Sequence, residues 1–262
     1  MTNNPIQKKD SINISEIQQR TCLMLGHSGI EKLQRAHILI VGCGAVGGMA
    51  AEALARTGIG KITLVDFDTI SPSNLNRQIF ATINVINRPK TTVAKERLLS
   101  INSHLTVIEK QILLNGENIT SLFDESFDFV IDAIDSLNPK TLLIEELVNR
   151  KIPFISSMGA ALKTDISRLK VSSMKKTIQC PLAAFVRKRL RRRQIDLSFP
   201  VVWSDECVSD KTHLGEIEIS GQSERHTMGS LMTITGTVGL MCAHEAILFL
   251  TQSKQSFYYG YF

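Results

Sequence analysis

An α/β fold, Rossmann-like with a mostly parallel sheet and helices on both faces, is predicted by three features of the sequence. Short apolar runs rich in β-branched residues alternate with stretches of helical spacing, a glycine cluster stands at the first strand-to-helix junction, and a carboxylate ends the second strand. His37 to Val41 reads as the first strand, Gly42-Cys43-Gly44-Ala45-Val46-Gly47 as a tight turn, and Ala45 to Thr57 as a helix stopped by Gly58 and Gly60. Lys61 to Val65 supplies a second buried strand that runs into Asp66-Phe67-Asp68. Pro89 suits the first turn of a helix continuing through Val93, Ala94, Leu98 and Leu99. Thr106 to Ile112, Phe127 to Ile131 and Pro153 to Ser156 predict further strands, the last two separated by a helix over Pro139 to Asn149. Beyond about Ile166 the pattern loosens into a basic helical stretch at Leu182 to Arg193, a polar loop from Asp205 to His226, and an apolar run from Met228 to Leu250.

With 262 residues and 43% apolar content, one compact domain with elaborations is expected. Met1 to Ser15 is polar and carries Lys8, Lys9 and Asp10 where an export signal needs an apolar stretch, which predicts a cytoplasmic protein. Five cysteines (Cys22, Cys43, Cys180, Cys207, Cys242) form no C-x-x-C pair, which argues against a disulfide framework and a structural zinc. The run from Met228 to Leu250 contains Thr, Gly, His244 and Glu245, and reads as a buried helix or dimer element in preference to a membrane span.

The turn Gly42 to Gly47 matches G-x-G-x-x-G where small residues let backbone amides and a helix N-terminus approach a phosphate, and Asp66 can accept hydrogen bonds from ribose hydroxyls. Those two features alone say only that a nucleotide binds, and a nicotinamide-dependent oxidoreductase would share them. The loop after Asp68 changes the balance. Ser73-Asn74-Leu75-Asn76-Arg77-Gln78 and Arg88-Pro89-Lys90 place a polar cluster and cations where a triphosphate, losing pyrophosphate, needs its growing charge neutralised.

Together with Asp132-Ala-Ile-Asp135-Ser136, these motifs resemble the adenylation core of ubiquitin-activating-type enzymes, the superfamily of the molybdopterin-synthase and thiamine-pathway adenylyltransferases. The resemblance implies ATP and Mg²⁺ as cofactors. It implies that the turn Gly42, Gly44, Ala45 and Gly47, the Asp66 carboxylate and Ser136 bind the nucleotide, and that Asn74 and Arg77 contact phosphates. It further implies that Lys90 meets the developing negative charge and Asp135 holds Mg²⁺. Arg20 lies in a segment that, in such enzymes, reaches the ATP of the other subunit of a homodimer; with Arg77, Lys90 and Asp135 it completes the implied catalytic set.

Three further segments, Lys176 to Arg193, Phe199 to Glu206 and the glycine-bearing apolar tail, resemble the tRNA threonylcarbamoyladenosine dehydratases. This implies a polar segment over 1–19, an ATP-binding core over 20–165 and a substrate-binding or dimerisation elaboration over 166–262. It also implies tRNA as substrate and a homodimer, and leaves a sulfur-relay protein partner open. Arg187, Lys188, Arg189, Arg191, Arg192 and Arg193 put six cations in seven positions, the composition of a phosphate-backbone contact for tRNA. Not all of them can share one helical face. The alternative activity is adenylation of the C-terminus of a ubiquitin-like or sulfur-carrier protein, in which Cys180 would be the candidate thioester nucleophile. Ala45, Met158-Gly159-Ala160-Ala161 and Cys180 depart from the usual family pattern.

Overall fold

The computed structural model describes residues 14–207, 214–220 and 223–251. The polar Met1 to Asp10 stretch lies outside them. Seven strands form one sheet: β1 (His37–Val41), β2 (Lys61–Val65), β3 (Thr106–Lys110), β4 (Phe129–Asp132), β5 (Phe154–Ser157), β6 (Leu169–Ser173) and β7 (Pro200–Ser204). Their order is β3-β2-β1-β4-β5-β7-β6, parallel throughout except that β6 runs antiparallel to β7. Between β1 and β4 the winding direction reverses, and this opens a crevice beyond the C-terminal ends of those strands.

β1 is buried along its whole length because both faces of the sheet are covered. Ile38 and Ile40 point into a core shared with α3 (Ala45–Thr57), α4 (Lys90–Ile101) and α7 (Met232–Thr251). Leu39 and Val41 point into the opposite core, against α5 (Leu137–Arg150) and α6 (Pro181–Arg192). The alternation explains why a continuous apolar run is required there.

The structure adds elements that the sequence patterning does not reveal. A short α1 (Ile14–Ile17) leads into α2 (Gln19–Arg35), which is interrupted at Gly26, with φ of +71°. The interruption folds the segment back, so that Gln18 accepts a hydrogen bond from Gln34 Nε2 at 2.9 Å. Gln18 also fills the space that a Cβ on Gly58 would need, which places the start of α2 beside the C-terminal end of α3. The Asp205 to His226 stretch, expected as a loop, contains a hairpin of β8 (Leu214–Ser220) and β9 (Ser223–Met228). The period-two pattern of Leu214-Gly-Glu-Ile-Glu-Ile-Ser220 is masked there by high polar content.

The apolar C-terminal run becomes α7, long and apolar enough by length and composition to cross a membrane, with about 44% of its most apolar stretch buried in the fold. It lies across α3, β4 and β5. A Cβ on Gly239 would overlap the Val46 carbonyl oxygen, so the glycine is what allows the α3 and α7 backbones to approach.

The α3–α4 contact is fastened by Glu52, whose carboxylate pairs with Arg56 at 2.6 Å and Arg97 at 3.1 Å. Burial pushes the Glu52 carboxyl upward, but hydrogen bonds from Arg97 and Arg56 prevail and hold it below its ordinary value. A carboxyl lowered in the folded state contributes stability that is present above its unfolded pKa and is lost as pH falls through its folded pKa. We predict that Glu52→Gln lowers Tm most at pH 7, and that the gap from the unsubstituted protein narrows below about pH 4. A gap independent of pH in thermal denaturation would show that the charge at Glu52 is not what matters.

Candidate active site

The crevice is built first from backbone. Gly42 leaves β1 with φ of +96°, and a Cβ there would meet the Ala133 carbonyl oxygen at 2.7 Å. A Cβ on Gly47 would overlap the carbonyl oxygen of Gly42. These two glycines are therefore required for the turn itself. Gly44 differs: it caps α3 without a side-chain hydrogen bond, and its nearest would-be contact is Gln78 Nε2 at 3.8 Å. The space beside Gly44 at the N-terminus of α3 is thus open, the arrangement that suits an anionic ligand.

Asp66 sits at the end of β2 and is tied to that turn. One oxygen accepts the Cys43 N–H at 2.6 Å and the other the Asp68 N–H at 2.9 Å. Burial raises its carboxyl above the usual value, opposed by the charge of Lys90. The adjacent Cys43 thiol is pushed well above its normal pKa by burial, which removes it as a nucleophile. Lys90 is itself buried at the start of α4, and its ammonium bonds Asp68 Oδ2 at 2.8 Å.

Asn74 is buried in a 3₁₀ turn, where its Oδ1 accepts the Ser71 N–H at 3.1 Å and its carbonyl accepts the Gln78 N–H at 2.9 Å. Any further contact with an oxygen ligand has to come from its amide nitrogen. Arg77 is half-buried, and its guanidinium donates to Ser73 O and Asn76 Oδ1, both at 2.8 Å. Across the crevice, Asp135 and Ser136 occupy the loop between β4 and α5; Asp135 is exposed and Ser136 caps α5 without a side-chain bond. No group of three or more His, Cys, Asp or Glu able to hold a metal occurs among the described residues.

Asp68 and Gln78 fall within the sequence motifs without a role of their own there, and Lys140 and Ser156 belong to no motif. Lys140 is the more readable of the last two, a lysine one turn into α5 just ahead of the apolar run Leu142-Leu143-Ile144. It is wholly buried against Asp132.

The ThiF family model matches residues 18–262. The chain belongs to the ThiF family. Within that family it is similar to a tRNA threonylcarbamoyladenosine dehydratase of Bacillus subtilis (strain 168), 41% identical over 71% of this chain and 74% of that one. The corresponding Escherichia coli (strain K12) enzyme is 40% identical over 65% of this chain and 64% of its own length. The crystal structure of E. coli tRNA N6-threonylcarbamoyladenosine dehydratase in complex with ATP superposes with a TM-score of 0.81 at 32% identity, covering 90% of this chain and 94% of that one.

The remaining predicted residues of this ThiF-family chain lie outside the crevice. Arg20 is exposed near the start of α2, beside the C-terminal end of α3, whereas Gly44 caps the opposite end. The 13 residues of α3 separate the two ends by about 20 Å. Cys180 is buried at the head of α6, and a Cβ on Gly159 would sit 3.4 Å from its Sγ.

The basic cluster divides. Arg187 bonds the backbone and hydroxyl of Thr177, and burial lowers its pKa, helped by Arg191. Arg189 bonds Asn138, and Arg193 pairs with Glu145 of α5. Lys188, Arg191 and Arg192 are exposed, with no acidic side chain within ion-pair distance among the described residues.

We predict that Gly47→Ala lowers stability by ~2 kcal/mol or more, because backbone must shift to admit the methyl group. Gly44→Ala should retain its melting temperature yet lose ATP affinity, since its methyl group projects into the open crevice. Thermal denaturation and calorimetric ATP titration together check this, and equal ATP binding by Gly44→Ala and the unsubstituted chain would rule it out.

Proposed function

We propose that this ThiF-family chain is a cytoplasmic, ATP-dependent dehydratase that adenylates the carboxylate of N6-threonylcarbamoyladenosine in tRNA and cyclises it, releasing AMP and pyrophosphate. One observation carries the reading. The superposition on the ATP-bound E. coli dehydratase extends over 94% of that chain, and the crevice at the strand-order reversal combines the open N-terminus of α3, Asp66, Lys90 and Asp135.

In this reading Gly42, Gly44, Ala45 and Gly47 shape the phosphate-facing turn, and Asp66 receives the ribose hydroxyls. Asn74, Arg77 and Ser136 line the nucleotide site. The substrate carboxylate forms a bond to the α-phosphorus of ATP as the bond to pyrophosphate breaks, and Arg77 and Lys90 offset the charge that develops. The ureido group, already tethered to the same nucleoside, then attacks the acyl carbonyl. A ring bond forms, the bond to AMP breaks and a proton is released, so the oxygen lost by the carboxylate leaves in AMP. Tethering makes positioning more important than a covalent cysteine, which agrees with the burial of Cys180.

Asp135 suits Mg²⁺: it is one exposed, hard oxygen ligand, and that ion is commonly held by a single carboxylate together with phosphates and water. When bound, the ion neutralises phosphate charge. Arg20 serves the site of a second copy in a homodimer, a reading supported by Leu23 and Met24, each 83% exposed, on the same turn of α2. Lys188, Arg191 and Arg192 supply the exposed charge for the tRNA backbone, while Arg187, Arg189 and Arg193 brace α6.

Nucleoside analysis of tRNA after incubation with ATP should show threonylcarbamoyladenosine converted with loss of one water. Asp66→Ala should abolish the conversion and leave the fold intact. Normal conversion by that variant, or no conversion by the unsubstituted protein, would reject the assignment. A thioester-linked carrier protein detected by mass spectrometry would favour adenylation of a protein C-terminus.

We predict separately that replacing Lys188, Arg191 and Arg192 with Gln reduces the salt dependence of tRNA binding by roughly 2 to 3 in slope, since up to three phosphate contacts are lost. ATP affinity should be unchanged. An unaltered slope in filter binding across a salt series would mean that another surface holds the RNA.

A further inference from the structure

Asp132 and Lys140 are both 0% exposed and form an ion pair of 2.7 Å. Charges placed so deeply lose several kcal/mol of hydration each, and well-packed apolar side chains would often be at least as stable. Folding stability therefore gives little account of this pair, and its placement gives more.

Asp132 is the last residue of β4, and Lys140 lies one turn into α5. The four residues that connect them, excluding the first turn of the helix, are Ala133, Ile134, Asp135 and Ser136. One carboxylate oxygen of Asp132 accepts the Ile134 N–H at 3.1 Å inside that loop. The other accepts Lys140 Nζ and, at 2.6 Å, the hydroxyl of Ser156 from β5. Lys140 Nζ also donates to Ser156 Oγ at 3.1 Å, so three side chains from β4, α5 and β5 close a ring of hydrogen bonds beneath the loop. From the other side, the Ala133 N–H bonds Val41 O at 2.8 Å, and Gly42 packs against the Ala133 carbonyl.

We propose that Lys140 is a positioning residue: with Asp132 and Ser156 it fixes the Ala133–Ser136 loop so that the Asp135 carboxylate is held in place for nucleotide-bound Mg²⁺. The inference rests on the assignment of Asp135 given above. Neither Lys140 nor Ser156 is needed to touch the nucleotide, and their effect passes through the geometry of the loop. The buried charges make that geometry stiff, because any displacement of Lys140 leaves Asp132 unpaired in a dry interior.

The test separates position from stability. Lys140→Met alone should lower the melting temperature strongly, because it strands the Asp132 charge. In the double variant Asp132→Asn, Lys140→Met no charge is buried; the new carboxamide can still accept from Ile134 N–H and reach Ser156, so the melting temperature should largely recover. Calorimetric ATP titration with and without Mg²⁺ should nonetheless show that the Mg²⁺-dependent gain in affinity falls at least tenfold in the double variant. Backbone amides of Ala133 to Asp135 should exchange with solvent faster in the metal-free protein. Ser156→Ala, which removes only the bridging hydroxyl, should show the same two changes to a smaller degree.

An unsubstituted-like gain together with unchanged amide exchange in the double variant or in Ser156→Ala would overturn the proposal. So would losses in every variant that scale with melting temperature alone. Asp135→Asn is the control for the underlying assignment: it should remove the Mg²⁺-dependent gain while leaving loop exchange slow. If Asp135→Asn keeps the gain, the metal assignment has failed, and the exchange measurement still decides whether Lys140 holds the loop.

Discussion

Gly42 packs against the carbonyl of Ala133, Gly47 against the carbonyl of Gly42, and Gly239 against the carbonyl of Val46, each where a methyl group would not fit. These contacts form a chain from the exit of β4, through the turn after β1, into α3 and on to α7. Backbone touching backbone leaves no side chain to rearrange, so displacement of one element moves the next. The loop bearing Asp135 and the turn bearing Gly44 are thereby held at a fixed spacing, which a ligand spanning them requires. α7, although the last of the described elements, contributes Val238, Cys242 and Ala246 to the same core as β1 and β2. The core therefore does not divide near residue 166.

Above that scaffold the charged groups fall into two sets. Asp66 accepts one backbone amide at each oxygen and keeps acceptor capacity on both, Asp132 is enclosed with Lys140, and Lys90 is held by Asp68. Their partners fix them, so they maintain shape and field. Asp135 is exposed at the crevice and Arg77 is half-buried there. Arg77 is bonded only to neutral oxygens of its own turn, which a phosphate can displace because a charged acceptor makes the stronger hydrogen bond. Lys90 is intermediate, for its partner Asp68 remains 45% exposed and can turn toward water as a phosphate takes the ammonium.

How much of this is legible in the sequence follows from the range of the interactions. β1 and β2 are read to the residue and β4 and β5 to within one or two, because strands covered on both faces carry short, largely apolar runs. Ala45 to Thr57 is read because glycines bound it at both ends. By contrast, α2 is broken at Gly26, which disrupts its helical period, and the edge strand β6 alternates too weakly in Leu-Lys-Val-Ser-Ser to stand out. In the site, Gly42 to Gly47, Asp66 and the loop to Lys90 lie close along the chain and form a pattern. The hold of Asp68 on Lys90 and of Ser156 on Asp132 spans 22 and 24 residues, a distance at which composition carries no signal. The basic stretch illustrates both cases: its charge density is plain, but which cations turn toward Thr177, Asn138 and Glu145 depends on α5 and α6 being neighbours.

Arg20 is where a single chain reaches its limit. The fold-back at Gly26 and the Gln18–Gln34 hydrogen bond anchor the start of α2 at the N-terminal edge of the sheet, next to Gly58. The crevice is at the other edge, about 20 Å away along α3, which no arginine side chain spans. Arg20 therefore cannot contact a nucleotide held by its own Gly44, Asp66 and Lys90 while α2 keeps this packing. Any part for Arg20 in the chemistry would require a second copy to present α2 over the crevice. The exposed Leu23 and Met24 beside it provide apolar surface whose burial would favour that association. If the protein instead proves fully active as a monomer, Arg20 has no part in catalysis, and the triphosphate charge must be met by Arg77, Lys90 and the metal ion alone.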